Sequence, residues 1–460
     1  PIFNCNGQGQ ADYVSPQQSP EKLAAKLTAY GFDVRLVDGH RVVELTGGFE
    51  AFARTRRPMA LVAKTLKGWG VSALQDHTWH GRPLAPGQLD AAVAELSAAR
   101  ARMGEPPLPP GPPAPPKASI PRRPQASLAG FEQAIERAGL AAALKKGKLA
   151  TRKAYGAALV ALGEVDPRIV VLDGDVKNST FSYFFADAFP QRFFEGKIAE
   201  QNMVSTAVGL AAAGYIPFAN SFAKFITRAY DQVEMALISR ANIKLVGSHS
   251  GVSPAADGPS QMALPDVAFF RGLAQVELEP GRPACVVFHP ADAVAAFEMT
   301  RLMAGHAGMC YMRTHRPDTP VIYPPGTAFQ IGGCHQHRHG DRATLVTGGY
   351  MLSVVLAAAD RLAGEGIACN VFDAYGFPLR TEAILTAGRQ SGGAILTVED
   401  NYPGGLHAAV AEAAARAGGC RVEGLCCRRI PKSARTAGEL LAYLSISEQD
   451  IAAAVRALSR

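Results

Sequence analysis

The acidic side chain of Glu200 stands in an unusual chemical context. It lies in the segment KIAEQNM (197–203), after an apolar dipeptide and before an apolar, Gly/Ala-rich helix. A carboxylate placed there is expected to be partly desolvated, which favours its protonated form and suits it to sharing or donating a proton. The alternative is that Glu200 only complements the positive end of the helix dipole. Composition alone leaves both interpretations open.

Length and composition predict about three globular domains. Of the 460 residues, 48% are hydrophobic and 19% are charged, which disfavours disorder. The formal net charge is +7, and the basic residues are spread along the chain rather than gathered into stripes with aromatic residues. This distribution favours a small anionic substrate over nucleic acid.

The cysteines and the apolar segments predict a cytoplasmic protein. None of the eight cysteines belongs to a C-x-x-C pair, and several lie in apolar strand-like runs, as Cys285 does in ACVVF. They are expected to be reduced, buried thiols. No stretch approaches the roughly 18 apolar residues of a membrane span, and the first residues do not form a signal pattern.

Helix and strand signals alternate in three stretches, which predicts α/β layers with parallel strands. In the first, a Gly/Gln/Asn-rich starting loop precedes a helix that Ser19 caps, and a strand (32–37), a helix (42–54) and a strand (59–63) follow. The middle stretch is predicted to hold helices at 152–162, 201–214 and 222–240 and strands at 168–172, 215–219, 243–247, 284–288 and 309–313. The last is predicted to hold strands from 343, at 367–373 and at 394–398, and a final helix at 448–458.

The segment GEPPLPPGPPAPPKASIPRRP (104–124) separates the first stretch from the second. Its prolines remove backbone donors and block helix formation, so an extended, polyproline-like connector is expected. The P-x-x-P runs leave a peptide-recognition role open, but a plain spacer is favoured.

Several motifs resemble, in order and spacing, those of transketolases. The segments IAEQNM (198–203), NSFAKFITRAYDQV (220–233) and GSHSGVSPAADGPSQMAL (247–264) are similar to the pyrimidine-binding domain of that family. The same family is indicated by KTLKGWGVS (64–72), WHGRPL (79–84), TRKAYG (151–156), LDGDVKNSTF (172–181), RTHRP (313–317) and VEDNYPGGL (398–406). The resemblance covers the chain except the proline-rich segment, and it points to the animal-type branch.

The resemblance implies an α/β fold of three successive domains with mainly parallel sheets: the thiamine-diphosphate-binding fold plus the transketolase C-terminal domain. Residues 1–103 would be the C-terminal part of the diphosphate-binding domain, and 104–148 a proline-rich linker and connecting helix. Residues 149–325 would be the pyrimidine-binding domain, and 326–460 the C-terminal domain. The N-terminal part of the diphosphate-binding domain, with its Gly-Asp-Gly motif, is expected to be absent.

The resemblance also implies an activity and its cofactors. Transketolases reversibly transfer a two-carbon ketol unit from a ketose phosphate to an aldose phosphate in the pentose phosphate pathway. They use thiamine diphosphate with Mg²⁺ or Ca²⁺. Glu200 matches the catalytic glutamate that hydrogen-bonds the aminopyrimidine of the cofactor, and Phe225 matches the aromatic residue that stacks on this ring.

Other positions match further site residues of the family. Lys67 and His80 match residues that face the diphosphate and the reacting oxygens, so His80 would have cofactor, substrate and catalytic roles. Asn6 and the backbone carbonyl of Gln8 match metal ligands, a hard-oxygen set suited to Mg²⁺ or Ca²⁺. The positions that match the phosphate-binding and sugar-binding residues are Arg152, Ser179, His249 and Arg316 for phosphate and Asp257 for a sugar hydroxyl.

The resemblance leaves alternatives open. The leading expectation is a homodimer with active sites between subunits. A second is a partner-dependent or degenerate transketolase-like subunit that needs a separate N-terminal fragment. A related thiamine-diphosphate enzyme, such as dihydroxyacetone synthase or deoxyxylulose-phosphate synthase, is a third, although the phosphate-binding set and IAEQNM argue against it.

The segment Cys334–His339, with the sequence CHQHRH, contains three alternating histidines. In an exposed strand they would lie on one face and could form a metal site. Since the segment lies between Gly333 and Gly340 at the edge of the third domain, a polar loop is the favoured prediction.

Overall fold

The computed structural model describes residues 1–103 and 128–458. The chain divides into an N-terminal unit, Pro1–Pro115, and a larger unit, Pro116–Arg460. The proline-rich connector expected at 104–124 lies outside the described residues. Within the described ranges, no helix is long and apolar enough to cross a membrane. The eight cysteines are free, as the sequence predicts; five are buried, and Cys5, Cys334 and Cys420 are only half-buried.

The N-terminal unit is a small α/β layer. Its elements are β1 (Ile2–Cys5), α1 (Pro20–Ala29), β2 (Asp33–Asp38), α2 (Val42–Arg54), β3 (Met59–Lys64) and α3 (Leu89–Met103). The strands form a parallel sheet in the order β1-β3-β2. The hydroxyl of Ser19 accepts a hydrogen bond from the Lys22 amide at 3.3 Å, which confirms the predicted helix cap.

The starting loop predicted before the first strand is wrong, because Ile2–Cys5 forms strand β1 beside β3. Burial alternates along β1, and Phe3 and Cys5 pack against the cluster of Leu27, Ala60 and Val62. Alternation over four residues is a weak signal in sequence. The partner strand supplies the hydrogen bonds that stabilise this short element.

The larger unit begins with short helices and then forms a central sheet. Its elements up to residue 320 are α4 (Phe131–Arg137), α5 (Ala141–Lys145), β4 (Lys148–Leu149), α6 (Thr151–Val165), β5 (Ile169–Asp173), α7 (Lys177–Thr180), α8 (Tyr183–Ala188), β6 (Phe193–Glu195), α9 (Glu200–Ala212), β7 (Ile216–Phe222), α10 (Ala223–Ile226), α11 (Tyr230–Ile238), β8 (Lys244–Ser248), α12 (Asp266–Ala274), β9 (Glu277–Glu279), β10 (Arg282–Pro283), β11 (Cys285–Phe288), α13 (Ala293–Gly305), β12 (Met309–Arg313) and β13 (Thr319–Pro320). Strands β11, β12, β8, β7, β5 and β6 are neighbours in that order and run parallel. Strands β5, β8 and β12 are buried along their whole length, as expected for a parallel sheet covered on both faces.

The last part of the chain forms a second large sheet. Its elements are β14 (His335–Arg338), β15 (Ala343–Thr347), α14 (Met351–Gly364), β16 (Cys369–Asp373), β17 (Gly376–Phe377), α15 (Glu382–Gln390), β18 (Ala394–Val398), α16 (Leu406–Ala417), β19 (Arg421–Leu425), α17 (Ala437–Tyr443) and α18 (Glu448–Leu458). The order is β14-β16-β15-β18-β19, parallel except at the edge strand β14. Strand β17 instead pairs with β11 and extends the central sheet. These mainly parallel α/β layers confirm the predicted fold class.

The single helix predicted over 222–240 is wrong. Strand β7 extends to Phe222, and a turn of 3-10 helix at Thr227–Ala229 separates α10 from α11. At this turn, the Thr227 hydroxyl donates a hydrogen bond to the Lys224 carbonyl at 2.7 Å. Local bonds of this kind compete with the regular helix ladder. The break isolates a four-residue helix that carries Phe225.

The loop predicted for Cys334–His339 is also wrong, since His335–Arg338 forms the edge strand β14. The imidazole nitrogen Nε2 of His335 lies 3.1 Å from the Ala328 carbonyl oxygen, and that of His337 lies 3.0 Å from the Tyr323 hydroxyl. Both histidines are half-buried and contact neighbouring groups of the protein rather than facing solvent freely. Among the described residues, no group of three or more His, Cys, Asp or Glu side chains could hold a metal ion.

We expect Gly247→Ala in β8 to destabilise the larger unit by about 1–3 kcal/mol, the usual range for overpacking. A methyl group at Gly247 would lie 2.7 Å from Cβ and 2.8 Å from Cα of Ala223, at the start of α10. The change should lower the midpoint of urea unfolding followed by circular dichroism.

Gly209→Ala is the matched control for this substitution. Gly209 lies within α9 and has open space where the methyl group would be. Alanine has the higher helix propensity, so this variant should match the parent or gain up to about 1 kcal/mol. Equal midpoints for the Gly247 and Gly209 variants would contradict the predicted close packing.

Candidate functional site

The predicted site residues of the larger unit gather at one edge of the central sheet. The residues that follow successive strands are Ser179 after β5, Glu200 after β6, Phe225 after β7, His249 after β8 and Arg316 after β12. The carboxyl ends of parallel strands share one edge, which is where α/β proteins commonly bind ligands. Arg152, in the first turn of α6, joins this group through its contacts.

Glu200 is the first residue of α9 and is only 4% exposed, which confirms the burial predicted from the sequence. Its Oε1 lies 2.7 Å from Nη1 of Arg228, whose side chain is more than half exposed. The guanidinium carbon of Arg228 in turn lies 5.0 Å from the centre of the Phe225 ring. The carboxylate therefore has a cationic partner at the boundary between the protein interior and solvent.

An aromatic stack connects the surroundings of Glu200 with His249. The rings of Phe225 and Phe222 are 5.0 Å apart and 8° from parallel, and those of Phe222 and His249 are 4.0 Å apart and 13° from parallel. Because β7 and β8 are adjacent, residues that follow their carboxyl ends can meet in this way. The stack provides a flat apolar surface with a polar imidazole at one end.

The predicted phosphate-binding residues form a connected group. Arg152 donates hydrogen bonds from Nη1 to the Ser179 carbonyl at 2.8 Å and from Nε to the Arg316 carbonyl at 3.1 Å. Nη1 of Arg316 lies 2.8 Å from Oδ1 of Asp257. The structure thus brings together two guanidinium groups and the predicted sugar-binding carboxylate. Such forked donors suit bidentate contact with phosphate.

His249 is held as a neutral imidazole in this group. Burial, followed by the nearby cations of Arg152 and Arg316, lowers the pKa of His249 to about 3. Its Nδ1 lies 3.0 Å from the hydroxyl of Ser248, and its backbone has a φ of +57°, which is uncommon for a residue other than glycine. At neutral pH this ring can donate a hydrogen bond but carries no charge.

Asp173 fixes the segment that carries Ser179. The Oδ1 atom accepts a hydrogen bond from the Val176 amide at 2.7 Å, and Oδ2 accepts from the hydroxyls of Thr180 at 2.7 Å and Ser182 at 2.9 Å. Burial raises the pKa of Asp173 to about 6, although these hydrogen bonds oppose the shift. The carboxylate therefore positions the turn after β5.

In the N-terminal unit, predicted cofactor-binding and metal-binding residues follow adjacent parallel strands. Asn6 and Gln8 follow β1, and Lys67 follows β3. Oδ1 of Asn6 accepts a hydrogen bond from the Gln8 amide at 2.9 Å. His80 is exposed and lies just after a turn of 3-10 helix, and the structure does not join it to the other predicted residues.

Two buried polar atoms of this unit fit a diphosphate and its metal ion. Nζ of Lys67 and Oε1 of Gln8 are buried without a hydrogen-bond partner in the described parts of the chain. An unpaired ammonium group is suited to phosphate oxygens, and an amide oxygen is a hard ligand of the kind that Mg²⁺ and Ca²⁺ prefer. This side-chain oxygen of Gln8 is a different atom from the backbone carbonyl predicted as a ligand. In the larger unit, buried Glu200 and the aromatic stack fit an aminopyrimidine ring.

Sequence reasoning missed Arg228, Phe222 and Asp173 as residues of this site. Arg228 and Phe222 are each three residues from Phe225 within the quoted motif NSFAKFITRAYDQV, and this spacing was an available signal. Asp173 ends a strongly apolar strand, where an acid is expected to reach the carboxyl edge of a parallel sheet.

Comparisons with known families are consistent with this geometry. Two family models match: the transketolase pyrimidine-binding domain at residues 147–321 and the transketolase C-terminal domain at residues 332–451. Human transketolase is 40% identical over 465 aligned residues, which cover 99% of this chain and 70% of the relative. Human transketolase-like protein 2 is 39% identical over 462 residues with the same two coverages.

Solved structures give related matches. A chain described as "Split gene transketolase, inactive beta4 tetramer" aligns with a TM-score of 0.60 and 35% identity, covering 68% of this chain and all of that one. Transketolase from Campylobacter jejuni aligns with a TM-score of 0.72 and 18% identity. The alignment covers 99% of this chain and 72% of the Campylobacter jejuni chain. The second likeness concerns the fold alone.

The low pKa of His249 predicts a pH dependence of stability. Between its ordinary pKa of about 6.5 and the folded value of about 3, the unfolded chain binds one more proton at this residue than the folded chain does. His249 therefore makes the fold less stable as the pH falls through this range. We expect His249→Gln to reduce the slope of unfolding free energy against pH by up to about 1.4 kcal/mol per pH unit.

Urea unfolding followed by circular dichroism at intervals between pH 4 and 6.5 measures this slope. His339→Gln is the matched control, because His339 is exposed next to β14. The control should keep the parent slope. An unchanged slope in the His249 variant would show that its imidazole is not held neutral.

Proposed function

The chain belongs to the transketolase family, and on that premise we propose that it reversibly transfers a two-carbon ketol unit from a ketose phosphate, such as xylulose 5-phosphate, to an aldose phosphate, such as ribose 5-phosphate. This would be a reaction of the pentose phosphate pathway. The observation that carries the proposal is that buried Glu200 and the cationic group around His249 lie at the same sheet edge and are connected by an aromatic stack.

Thiamine diphosphate with Mg²⁺ or Ca²⁺ is the proposed cofactor, and when bound it would supply a nucleophilic carbon for ketol transfer. Glu200 would hydrogen-bond the aminopyrimidine and hold a proton there, while Phe225 would stack on the ring. Lys67 and His80 would contact the diphosphate side. The proposed oxygen ligands of the metal ion are Asn6 and the backbone carbonyl of Gln8.

The substrate would be oriented by its phosphate. Arg152 and Arg316 provide the positive charge, and neutral His249 and the Ser179 hydroxyl add directional hydrogen bonds. Asp257 already accepts a hydrogen bond from Arg316, so it can hold that guanidinium in place and still accept a bond from a sugar hydroxyl. His80 would contact the reacting oxygens of the substrate.

We expect Glu200→Gln to reduce ketol transfer at least about 100-fold, the lower range for losing a general acid or base. The amide has the same shape as the acid but cannot hold the proton. The measurement is transfer from xylulose 5-phosphate to ribose 5-phosphate with thiamine diphosphate and Mg²⁺ present. Thermal unfolding of the variant should remain close to that of the parent.

Glu298→Gln is the matched control. Glu298 also pairs with an arginine, with 2.9 Å between its Oε2 and Nη1 of Arg301, and its side chain is only 16% exposed. It lies on α13, which carries none of the predicted site residues. Transfer should persist in this control; persistence in the Glu200 variant as well would remove the proposed acid role.

A second candidate function is that of one subunit in a two-chain transketolase. The 35% identity with the whole of a split-gene transketolase chain, whose tetramer is described as inactive, favours this possibility. For the first candidate we propose a homodimer with active sites between subunits; for the second, this chain needs a separate N-terminal subunit as well.

Assays of the chain alone and mixed with an N-terminal transketolase fragment separate the two candidates. Transfer by the chain alone supports the first, and transfer only in the mixture supports the second. If neither sample transfers the ketol unit, both proposals are wrong.

A further inference from the structure

Arg313, the last residue of β12, is fully buried and joins the two large sheets. Its Nε lies 2.9 Å from Oδ2 of Asp266, at the start of α12, and its Nη1 lies 3.6 Å from Oδ1 of Asp400, in the loop after β18. Nη2 donates a hydrogen bond to the Ala263 carbonyl at 3.2 Å. Both carboxylates are also fully buried.

Asp400 reaches from the last sheet to the segment that carries His249. Its Oδ2 accepts a hydrogen bond from the Val252 amide at 3.3 Å. Gly251 approaches the same carboxylate so closely that an added methyl group would overlap it, and all three nearest atoms belong to Asp400. Gly251 has a φ of +59°, a conformation that glycine adopts without strain.

The contacted segment connects two predicted phosphate-binding residues. His249 lies two residues before Gly251. The Ser253 hydroxyl donates a hydrogen bond to the Ser250 carbonyl at 2.7 Å and accepts one from the Arg316 amide at 3.4 Å. A shift of the Asp400 carboxylate would therefore move the backbone that sets the separation of His249 and Arg316.

From these contacts we propose that Asp400 is a positioning residue for the phosphate-binding group, acting from the C-terminal domain through Gly251 and Val252. The inference rests on the proposed function, because it assumes that this group binds the substrate phosphate. A buried ion pair is weak evidence of added stability, since apolar side chains of similar volume often pack as well. Its directional contacts instead fix where one backbone segment lies relative to another.

Asp400→Asn tests the proposal, because the amide keeps the size of the side chain but removes the charge that faces Arg313. We expect ribose 5-phosphate to bind at least about tenfold more weakly, since small displacements of positioning groups have large effects. Binding of unphosphorylated ribose should not change. Isothermal titration of the full chain, with thiamine diphosphate and Mg²⁺ present, measures both dissociation constants.

Asp292→Asn controls for the loss of a buried carboxylate. Asp292 is fully buried and caps α13, where its Oδ1 accepts a hydrogen bond from the Ala295 amide at 2.8 Å. This variant should lose stability but keep the parent ratio of the two dissociation constants. The same loss of phosphate preference in both variants would overturn the proposal, because it would reflect general destabilisation.

Gly251→Ala provides the second variant in case Asp400→Asn does not fold. The added methyl group displaces the Asp400 carboxylate without removing it, so phosphate preference should again fall about tenfold. Gly281→Ala controls for backbone strain, because Gly281 has a φ of +77° and open space around an added methyl group. Unchanged phosphate preference in a folded Asp400 or Gly251 variant would overturn the inference.

Binding of the two sugars by the parent chain shows whether a negative result contradicts this inference alone or the proposed function as well. If the parent binds ribose 5-phosphate no better than ribose, the proposed substrate class is wrong, and the inference is wrong with it. If the parent prefers the phosphate and the Asp400 variant shows the same preference, only the positioning role is wrong.

Discussion

Six neighbouring strands of the central sheet run in the same direction, and the loops that follow them all leave at one edge. This constraint explains how residues far apart in sequence, such as Glu200 and Arg316, come to share one site. The strands themselves contribute buried apolar side chains. The residues proposed to bind ligands are those that directly follow the strands. There the backbone is no longer hydrogen-bonded within the sheet, and polar side chains reach solvent or one another.

Burial acts on the ionisable groups at this edge by favouring their neutral forms. It raises the pKa of Asp173 to about 6 and lowers that of His249 to about 3, so near neutral pH the aspartate remains mostly ionised while the imidazole is neutral. Burial also lowers the pKa of Arg152, but a guanidinium group stays charged in proteins. The charge available to an anion therefore comes from Arg152 and Arg316. His249 can contribute a directional hydrogen bond to the anion but no charge.

Regular elements were predictable where the apolar pattern is uninterrupted. The α2 helix, Val42–Arg54, and the strand Met309–Arg313 have the predicted bounds, because each is a continuous pattern. Three predictions were wrong where tertiary contacts override local signals. Strand β1 depends on pairing with β3, and β14 depends on pairing with β16. The helix after β7 breaks where the Thr227 hydroxyl bonds the backbone.

The contacts that place the site residues were less predictable than the residues themselves. Glu200 stands out locally, because an acid interrupts an apolar run, but its ion pair joins it to Arg228, which is 28 positions away, and no local pattern predicts that pairing. Val252 and Asp400 are separated by 148 positions, and neither residue type is unusual in its own surroundings. Apolar side chains could hold the two sheets together without fixing the position of one loop relative to another. A buried carboxylate accepts hydrogen bonds only from certain directions, so it fixes the positions of its partner groups. The pattern of apolar residues in the sequence does not predict such contacts.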